Sequence, residues 1–199
     1  TPENVEALQF WIDLQKKYKV MAEGIVQWTD LPAQFLAGEV AMIYHTTGNL
    51  SNIAKNAKFN YGVAFLPAHK RKGAPTGGGN FYISSGISKE KQKAAWKFIK
   101  YLTTPERVAQ WSVDTGYVAT RKSAFETDIM KKYYAERPQA KVAYEQLKFA
   151  KPELTTYNAA EIWRILNDNI QSAITGEKTA KDALDNAQKE ATEVLKDFN

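Results

Sequence analysis

Cysteine is absent from this sequence of 199 residues, and histidine occurs only twice, as His45 and His69. The missing cysteines exclude disulfides, thiol nucleophiles and zinc–thiolate sites within the chain. Neither histidine has a second histidine or a carboxylate at the spacing of a metal-ligand motif. The sequence therefore predicts no metal site.

Motifs of the common catalytic classes are also missing. There is no Gly-x-Ser-x-Gly turn, and the glycines from Gly77 to Gly79 lack the spacing of phosphate-binding and dinucleotide-binding loops. The 22 acidic residues lie mostly among lysines on predicted helix surfaces, and no pair stands out as a general acid and base. We therefore predict no catalytic residue and no cofactor, and the motifs give little support to an enzyme.

Long hydrophobic runs are absent as well, since no run reaches the roughly 18–20 apolar residues that a membrane-spanning helix needs. The start at Thr1 has no basic region followed by an apolar one, so we expect a secreted protein to appear here in mature or truncated form. At 44% hydrophobic and 25% charged residues, the composition is that of an ordinary globular protein. The 27 basic residues give a net charge of +5 but mostly alternate with acids, which predicts a solvated surface and no nucleic-acid partner.

The spacing of apolar residues predicts a series of amphipathic helices. Capping residues mark several of their ends: Ser88 and Thr179 at N-termini, and Gly38 and Gly176 at C-termini. The predicted helices cover residues 2–18, 31–36 and 50–57, a segment after Ser88, a segment from Thr104, Pro105 and Glu106, a stretch between Pro138 and Pro152, a helix striped by Ile162, Leu166, Ile170 and Ala173, and a last helix that buries Leu184, Ala187, Ala191, Val194, Leu195 and Phe198.

Three short β-prone runs lie between the first helices, at residues 40–44, 62–67 and 81–84. Residues 68–80 between the last two runs are basic and then rich in glycine and proline, which predicts a loop. Because strands separated by helices are typical of parallel sheets, the sequence predicts an α/β fold with mainly parallel pairing.

Aromatic residues make up 12% of the chain and include five tryptophans. Trp11, Trp96 and Trp111 lie within helical patterns, and we interpret them as packing residues. Trp163 lies at the rim of the apolar stripe of its helix, where a side chain either covers the core or faces a cleft, and both alternatives stay open at this point.

Several segments, in this order, resemble one family. They are Phe35-x-x-Gly38-x-x-Ala41-Met42, the run from Ala57 to Val63, the turn Thr115-Gly116-Tyr117, and the stretch from Ala173 to Gln188. Together they resemble the C-terminal half of the family-1 extracellular solute-binding proteins of bacterial ABC importers, over essentially the whole chain. The run from Ala57 is similar to the glycerol-3-phosphate-binding branch, and Asn60-Tyr-Gly-Val with Leu66-Pro67 is similar to the maltose-binding branch.

The resemblance implies an α/β, periplasmic-binding-protein-like (type II) two-lobe fold that is present only in part. By position, residues 1–76 form the first part of the C-terminal lobe, residues 77–117 belong to the N-terminal lobe, and residues 118–199 form the helical second part of the C-terminal lobe. The N-terminal part of the full protein is then missing, and the crossings between lobes lie near 76–81 and 117–121. Lost sheet neighbours would expose strand edges, so we expect such a fragment to self-associate.

The resemblance also implies which residues line the cleft between the lobes. In the glycerol-3-phosphate branch the position of Trp163 looks to be an arginine that serves the phosphate, whereas in the maltose-binding branch an aromatic residue there stacks on a sugar ring. Tryptophan therefore favours a carbohydrate, since aromatic faces suit the C–H face of a pyranose and a guanidinium suits phosphate. The expected ligand-binding residues are Trp163, Tyr117, Gly78, Gly79, Thr46, Thr47, Gly48 and Trp28.

The function implied is that of a solute-binding component of an ABC importer. Such a protein captures a carbohydrate in the interlobe cleft and delivers it to the membrane subunits of the permease. We expect it in the periplasm, or lipid-anchored outside the cell in a Gram-positive bacterium. The alternatives are a glycerol-3-phosphate or glycerophosphodiester-binding protein and, in other classes, a carbohydrate-active enzyme or an interaction module.

Overall fold

The computed structural model describes residues 1–198, which fall into two compact units. The terminal unit consists of Thr1–Asp30 with Leu154–Asn199, and the central unit consists of Leu31–Glu153. The predicted lobe boundaries, at 76/77 and 117/118, do not coincide with the limits of these units, and the assignment of segments to lobes stays a prediction.

The described residues form nine α-helices and two short strands, together with a few short segments of 3₁₀-helix. None of the helices in this part of the chain is long and apolar enough to span a membrane. The elements are α1 (Pro2–Lys16), α2 (Leu31–Leu36), α3 (Leu50–Asn56), β1 (Ala74–Thr76), α4 (Lys89–Leu102), α5 (Pro105–Thr115), α6 (Asp128–Glu136), α7 (Lys141–Gln146), β2 (Ala150–Pro152), α8 (Ala159–Thr175) and α9 (Ala180–Leu195).

The terminal unit is built from α1, α8 and α9. Gly176 ends α8 in the left-handed conformation that glycine adopts without steric cost, and the Thr179 hydroxyl caps α9 by accepting from the amide of Asp182 at 3.1 Å. Leu8 of α1 packs against buried alanines of α8 and α9, whose small side chains leave room for a neighbouring helix. Ala187 is buried as predicted, but Phe198 is exposed and stacks on Tyr157 with 4.9 Å between the ring centroids.

The core of the central unit lies mainly between α5 and α6. Val108 and Ala109 of α5 pack with Met130 and Tyr133 of α6, and Ala124 from the turn between the two helices fills the same core. Pro105 opens α5, where its missing N–H leaves no hydrogen bond unmade. The predicted start of this helix is therefore confirmed.

Helix α4 begins as predicted, with the Ser88 hydroxyl accepting from the amide of Lys91 at 3.4 Å. No residue of α4 is buried, and Trp96 and Phe98 are both largely exposed. The interpretation of Trp96 as a packing residue is therefore wrong for the described part of the chain. The apolar stripe of α4 has the spacing of a helix face that packs on a core, but none of its residues is buried.

The three predicted strands, at 40–44, 62–67 and 81–84, are not strands in the structure. A strand needs a neighbour for its backbone hydrogen bonds, and among the described residues only β1 and β2 pair, in parallel from Ala74 opposite Ala150 to Thr76 opposite Pro152. Met42 and Tyr82 are 72% and 85% exposed, so these β-prone runs are also not buried. Strand β1 itself lies inside residues 68–80, where a loop was predicted.

Candidate functional site

The turn after α5 fixes the backbone of Tyr117. Gly116 has φ +95°, and its amide donates to the carbonyl of Ser112 at 2.7 Å. The Ser112 hydroxyl donates in turn to the carbonyl of Tyr117, and the amide of Tyr117 donates to the hydroxyl of Thr115 at 3.1 Å. Hydrogen bonds on both sides of the residue therefore set the direction in which Tyr117 leaves the turn.

The same turn packs tightly against the start of α3. A Cβ placed on Gly116 would lie 2.6 Å from the carbonyl oxygen of Thr47 and 2.6 Å from Cβ of Leu50. The Ser51 hydroxyl donates to the carbonyl of Val113 at 2.6 Å, which ties α3 to the end of α5. Only glycine fits at position 116, because both its φ and its surroundings exclude a side chain.

The ring of Tyr117 is held on two sides. It stacks on Trp111, with ring centroids 5.1 Å apart and planes 5° from parallel. Its hydroxyl end lies against Gly48, where a Cβ would be 2.8 Å from the Tyr117 oxygen and closer still to Cζ. The amide of Gly48 donates to the Thr46 hydroxyl at 3.2 Å.

The structure thus brings together four of the residues expected to bind ligand: Thr46, Thr47, Gly48 and Tyr117. With Trp111 and Gly116 they form what we call the Tyr117 cluster. Its side chains are aromatic or carry a hydroxyl, and 39% of Tyr117 is exposed to solvent. Such a surface offers ring faces and neutral hydrogen-bonding groups.

Gly78 and Gly79 lie on an exposed segment just after β1. A Cβ on either residue would have no atom within 4 Å, whereas one on Gly77 would lie 2.7 Å from a carboxylate oxygen of Glu153. The glycines at 78 and 79 therefore leave their backbone open to approach from solvent, as a contact with a ligand requires. Their role in binding stays a prediction.

Trp163 and Trp28 belong to the terminal unit. Trp163 lies on α8 next to the buried Ile162 and is 38% exposed, which agrees with its rim position on the helical wheel. Trp28 is more exposed, in the irregular segment before α2. Both rings present apolar surface to solvent.

Arg164, the neighbour of Trp163, is engaged by two carboxylates of its own helix. Its Nε and Nη2 donate to the two carboxylate oxygens of Glu161 at 3.1 and 2.7 Å, and its Nη1 donates to Asp168 at 2.7 Å. The hydrogen bond from Arg164 holds the pKa of Glu161 below its usual value, and the hydrogen bond with Glu161 raises the pKa of Arg164. The guanidinium therefore has its charge compensated and most of its donors occupied.

Sequence reasoning missed the part played by Trp111. We predicted it to be a packing residue, but 45% of its surface is exposed and its ring lies parallel to that of Tyr117. The sequence contains only a weak signal for this stack, which is that two aromatic residues lie six positions apart on either side of the glycine that ends the helix. No group of three or more His, Asp or Glu side chains that could hold a metal ion occurs among residues 1–198.

Residues 1–141 match the family described as "Bacterial extracellular solute-binding protein", and the chain belongs to this family. Among curated relatives, it is 31% identical over 207 aligned positions to the sn-glycerol-3-phosphate-binding periplasmic protein UgpB of Salmonella paratyphi A, a match that covers 99% of this chain and 47% of the relative. The chain thus spans about half the length of the curated relatives it matches.

Several solved structures share its fold, among them two that also resemble the chain in sequence. One is UgpB from Mycobacterium tuberculosis in complex with glycerophosphocholine, with a TM-score of 0.86, 28% identity, and coverage of 98% of this chain and 49% of that one. The other is maltose-bound MalE3 of T. maritima, with a TM-score of 0.86, 29% identity, and coverage of 98% and 51%. The predicted family and the predicted type II periplasmic-binding-protein-like fold, matched over about half its length, are therefore confirmed.

Proposed function

We propose that the chain belongs to the solute-binding component of an ABC importer, which captures a carbohydrate and delivers it to the membrane subunits of the permease. The family is one of extracellular solute-binding proteins, and the curated relative is named as periplasmic. We accordingly place the protein in the periplasm, or anchored outside the cell where no outer membrane exists. Its task is capture without chemical conversion of the solute.

The observation that carries the choice of a carbohydrate is the pair Trp163 and Arg164. Trp163 keeps an exposed ring, whereas the guanidinium beside it is already bound by Glu161 and Asp168. A phosphate held at this place would compete with two carboxylates for the same donors. The apolar C–H face of a sugar ring needs only the indole surface.

The Tyr117 cluster supports the same class of solute. Sites for small solutes combine aromatic surface with a few placed polar groups. The hydroxyls of Tyr117, Thr46 and Thr47 can donate to or accept from sugar hydroxyls without placing a charge in the site. These groups suit a neutral polyhydroxylated solute better than an anion.

Glycerol-3-phosphate or a glycerophosphodiester is the second candidate. Two similar proteins favour it. UgpB of Salmonella paratyphi A is named for binding glycerol-3-phosphate, and UgpB of Mycobacterium tuberculosis was solved in complex with glycerophosphocholine. The protein's net charge of +5 is also compatible with an anionic solute. In this case Arg164 would have to exchange a carboxylate partner for phosphate.

Calorimetric titration of the protein at its natural full length decides between the two. The panel consists of maltose, maltotriose, glycerol-3-phosphate, glycerophosphocholine and inorganic phosphate, each tested against the unmodified protein and against Arg164→Gln. We expect a sugar to bind and Arg164→Gln to change its affinity less than about 2-fold, since exposed ion pairs contribute little. Tight binding of a glycerophosphate that Arg164→Gln weakens about 10-fold or more would establish the second candidate.

The same samples test whether the protein is a binder and not an enzyme. After incubation with excess sugar, the solute should be recovered unchanged in amount and linkage. Catalytic turnover by the purified protein would contradict this part of the proposal.

A further inference from the structure

We propose that Trp111 is a positioning residue for the solute and acts through Tyr117, whose hydroxyl it holds in a single orientation. The inference rests on the proposed function, because it assigns Tyr117 a contact with the captured sugar. Trp111 itself is not required to touch the solute. Its effect on affinity should depend on the presence of the Tyr117 hydroxyl.

The geometry leaves Tyr117 little freedom. Its backbone is fixed by the hydrogen bonds from Ser112 and to Thr115, one ring face is covered by Trp111, and the hydroxyl end abuts Gly48. A tyrosine that is 39% exposed would otherwise exchange between rotamers in solvent. The stack removes that exchange before the solute arrives, and a group ordered in advance binds more tightly than one that the ligand must order.

Ordinary core packing does not account for Trp111. The buried residues of α5 are Val108 and Ala109, which face the core of the central unit, and Ser112, whose hydroxyl donates to the carbonyl of Tyr117. Trp111 is 45% exposed, and its ring stacks on that of Tyr117. Its replacement should therefore disturb Tyr117 more than the core.

The test is a double-mutant cycle at natural full length, with Trp111→Leu, Tyr117→Phe and the combined variant, titrated with maltose and with the panel sugar that the unmodified protein binds most tightly. We expect Trp111→Leu to weaken binding about 3- to 10-fold and to have a clearly smaller effect when Phe already occupies position 117. Trp111→Phe, which keeps a stacking ring, should restore affinity to within about 2-fold. Trp96→Leu, at an exposed tryptophan of α4, is the matched control and should leave affinity unchanged.

A spectroscopic measurement separates positioning from general damage. Stacked aromatic rings give a near-ultraviolet circular dichroism signal. Trp111→Leu and Tyr117→Leu should each remove the same part of this signal, because each removes one ring of the stack. The far-ultraviolet spectrum, which reports secondary structure, should stay the same in both variants. If Trp111→Leu does not fold, Gly48→Ala displaces the hydroxyl end of Tyr117 from the other side. It should lower affinity with Trp111 intact, and by clearly less when Phe already occupies position 117. Folded Gly48→Ala at full affinity would overturn the proposal.

The outcomes distinguish the inference from the function on which it rests. A protein that binds no compound of the panel contradicts both. Binding of a sugar that Trp111→Leu leaves unchanged, or weakens equally with and without the Tyr117 hydroxyl, overturns the positioning role alone.

Discussion

Gly116 approaches Thr47 so closely that a Cβ on the glycine would lie 2.6 Å from the threonine carbonyl oxygen. These two residues join the end of α5 to the segment before α3. The contact places the Thr46–Gly48 backbone beside the ring of Tyr117, one residue after the glycine. The geometry of the candidate site thus depends on a residue without a side chain.

Gly116→Ala should destabilise the central unit well beyond the cost of a left-handed alanine. Gly38→Ala is the matched control, because Gly38 has φ +77° in the same unit but nothing within 4 Å of its Cβ position. We expect about 1–2 kcal/mol from the backbone at both sites and an additional loss of about 1–3 kcal/mol at Gly116 from the steric clash. Denaturant unfolding of the 199-residue chain measures both, and equal losses would show that the contact with Thr47 relaxes freely.

Local signals explain why most helices could be predicted from the sequence. The hydroxyl of Ser88, the ring of Pro105 and the left-handed Gly176 act within one turn of the helix ends that they define, so the neighbouring sequence contains the whole cause. A strand is different, since its hydrogen bonds go to residues remote in sequence. The β-prone runs at 40–44, 62–67 and 81–84 have the right composition but no partner strand within the described residues.

The candidate site could be predicted only in part for a similar reason. Gly116 predicts a turn that exposes Tyr117. Glu161 and Asp168, three residues before and four residues after Arg164, predict its ion pairs. The parallel orientation of the Trp111 and Tyr117 rings has only part of its cause in the turn, where hydrogen bonds of Ser112 and Thr115 hold the backbone of Tyr117. The other part is remote in sequence, since the hydroxyl end of the ring lies against Gly48. The packing of α3 against α5 brings Gly48 to the tyrosine hydroxyl across 69 positions of sequence.

Trp163→Ala at natural full length should weaken sugar binding by about 1–3 kcal/mol, because an aromatic surface that stacks on the solute is lost. Trp28→Ala tests the second aromatic residue expected near the solute, and we expect a smaller loss there. Calorimetry with the panel sugars measures both variants. Unchanged affinity in a folded Trp163→Ala protein would exclude the stacking role.

Tyr117→Phe should cost about 0.5–1.5 kcal/mol of binding free energy if the hydroxyl is hydrogen-bonded to the solute. The ring and its stack on Trp111 are kept in this variant, so stability should change little. Tyr82→Phe, at a residue that is 85% exposed, provides the control. Equal affinities of the two variants would show that the Tyr117 hydroxyl makes no contact with the solute.

Alkaline pH should destabilise the central unit partly through Tyr134. Burial raises the pKa of Tyr134 to about 12, with smaller contributions from Tyr133 and Tyr144. Since the folded-state pKa lies above the ordinary value near 10, this contribution to stability is complete below about pH 10 and is lost as the pH rises towards 12. Tyr134→Phe should therefore lose less stability than the unmodified chain between about pH 10 and 12.

The measurement for Tyr134 is urea unfolding at a series of alkaline pH values, with Tyr82→Phe as the exposed control. All groups other than the substituted tyrosine are shared by the three proteins, so the comparison isolates that tyrosine. If the pH dependence of Tyr134→Phe matches that of Tyr82→Phe, the tyrosine does not titrate as its burial indicates.

The 199-residue chain alone should bind solute feebly and self-associate, whereas the protein at natural full length should bind well. A solute site commonly covers about 70–90% of its ligand, and the chain spans about half the length of its relatives. Met42, Tyr82 and, in α4, Trp96 and Phe98 are exposed in the described part of the chain. Exposed apolar side chains and unpaired β-prone segments favour association. Titration of both forms with the same sugar compares their affinities, and light scattering measures their association. Phe98→Lys, which places a charge on α4, should reduce the association of the shorter form. A monodisperse monomer of 199 residues with the affinity of the full-length protein would show that the chain carries a complete site.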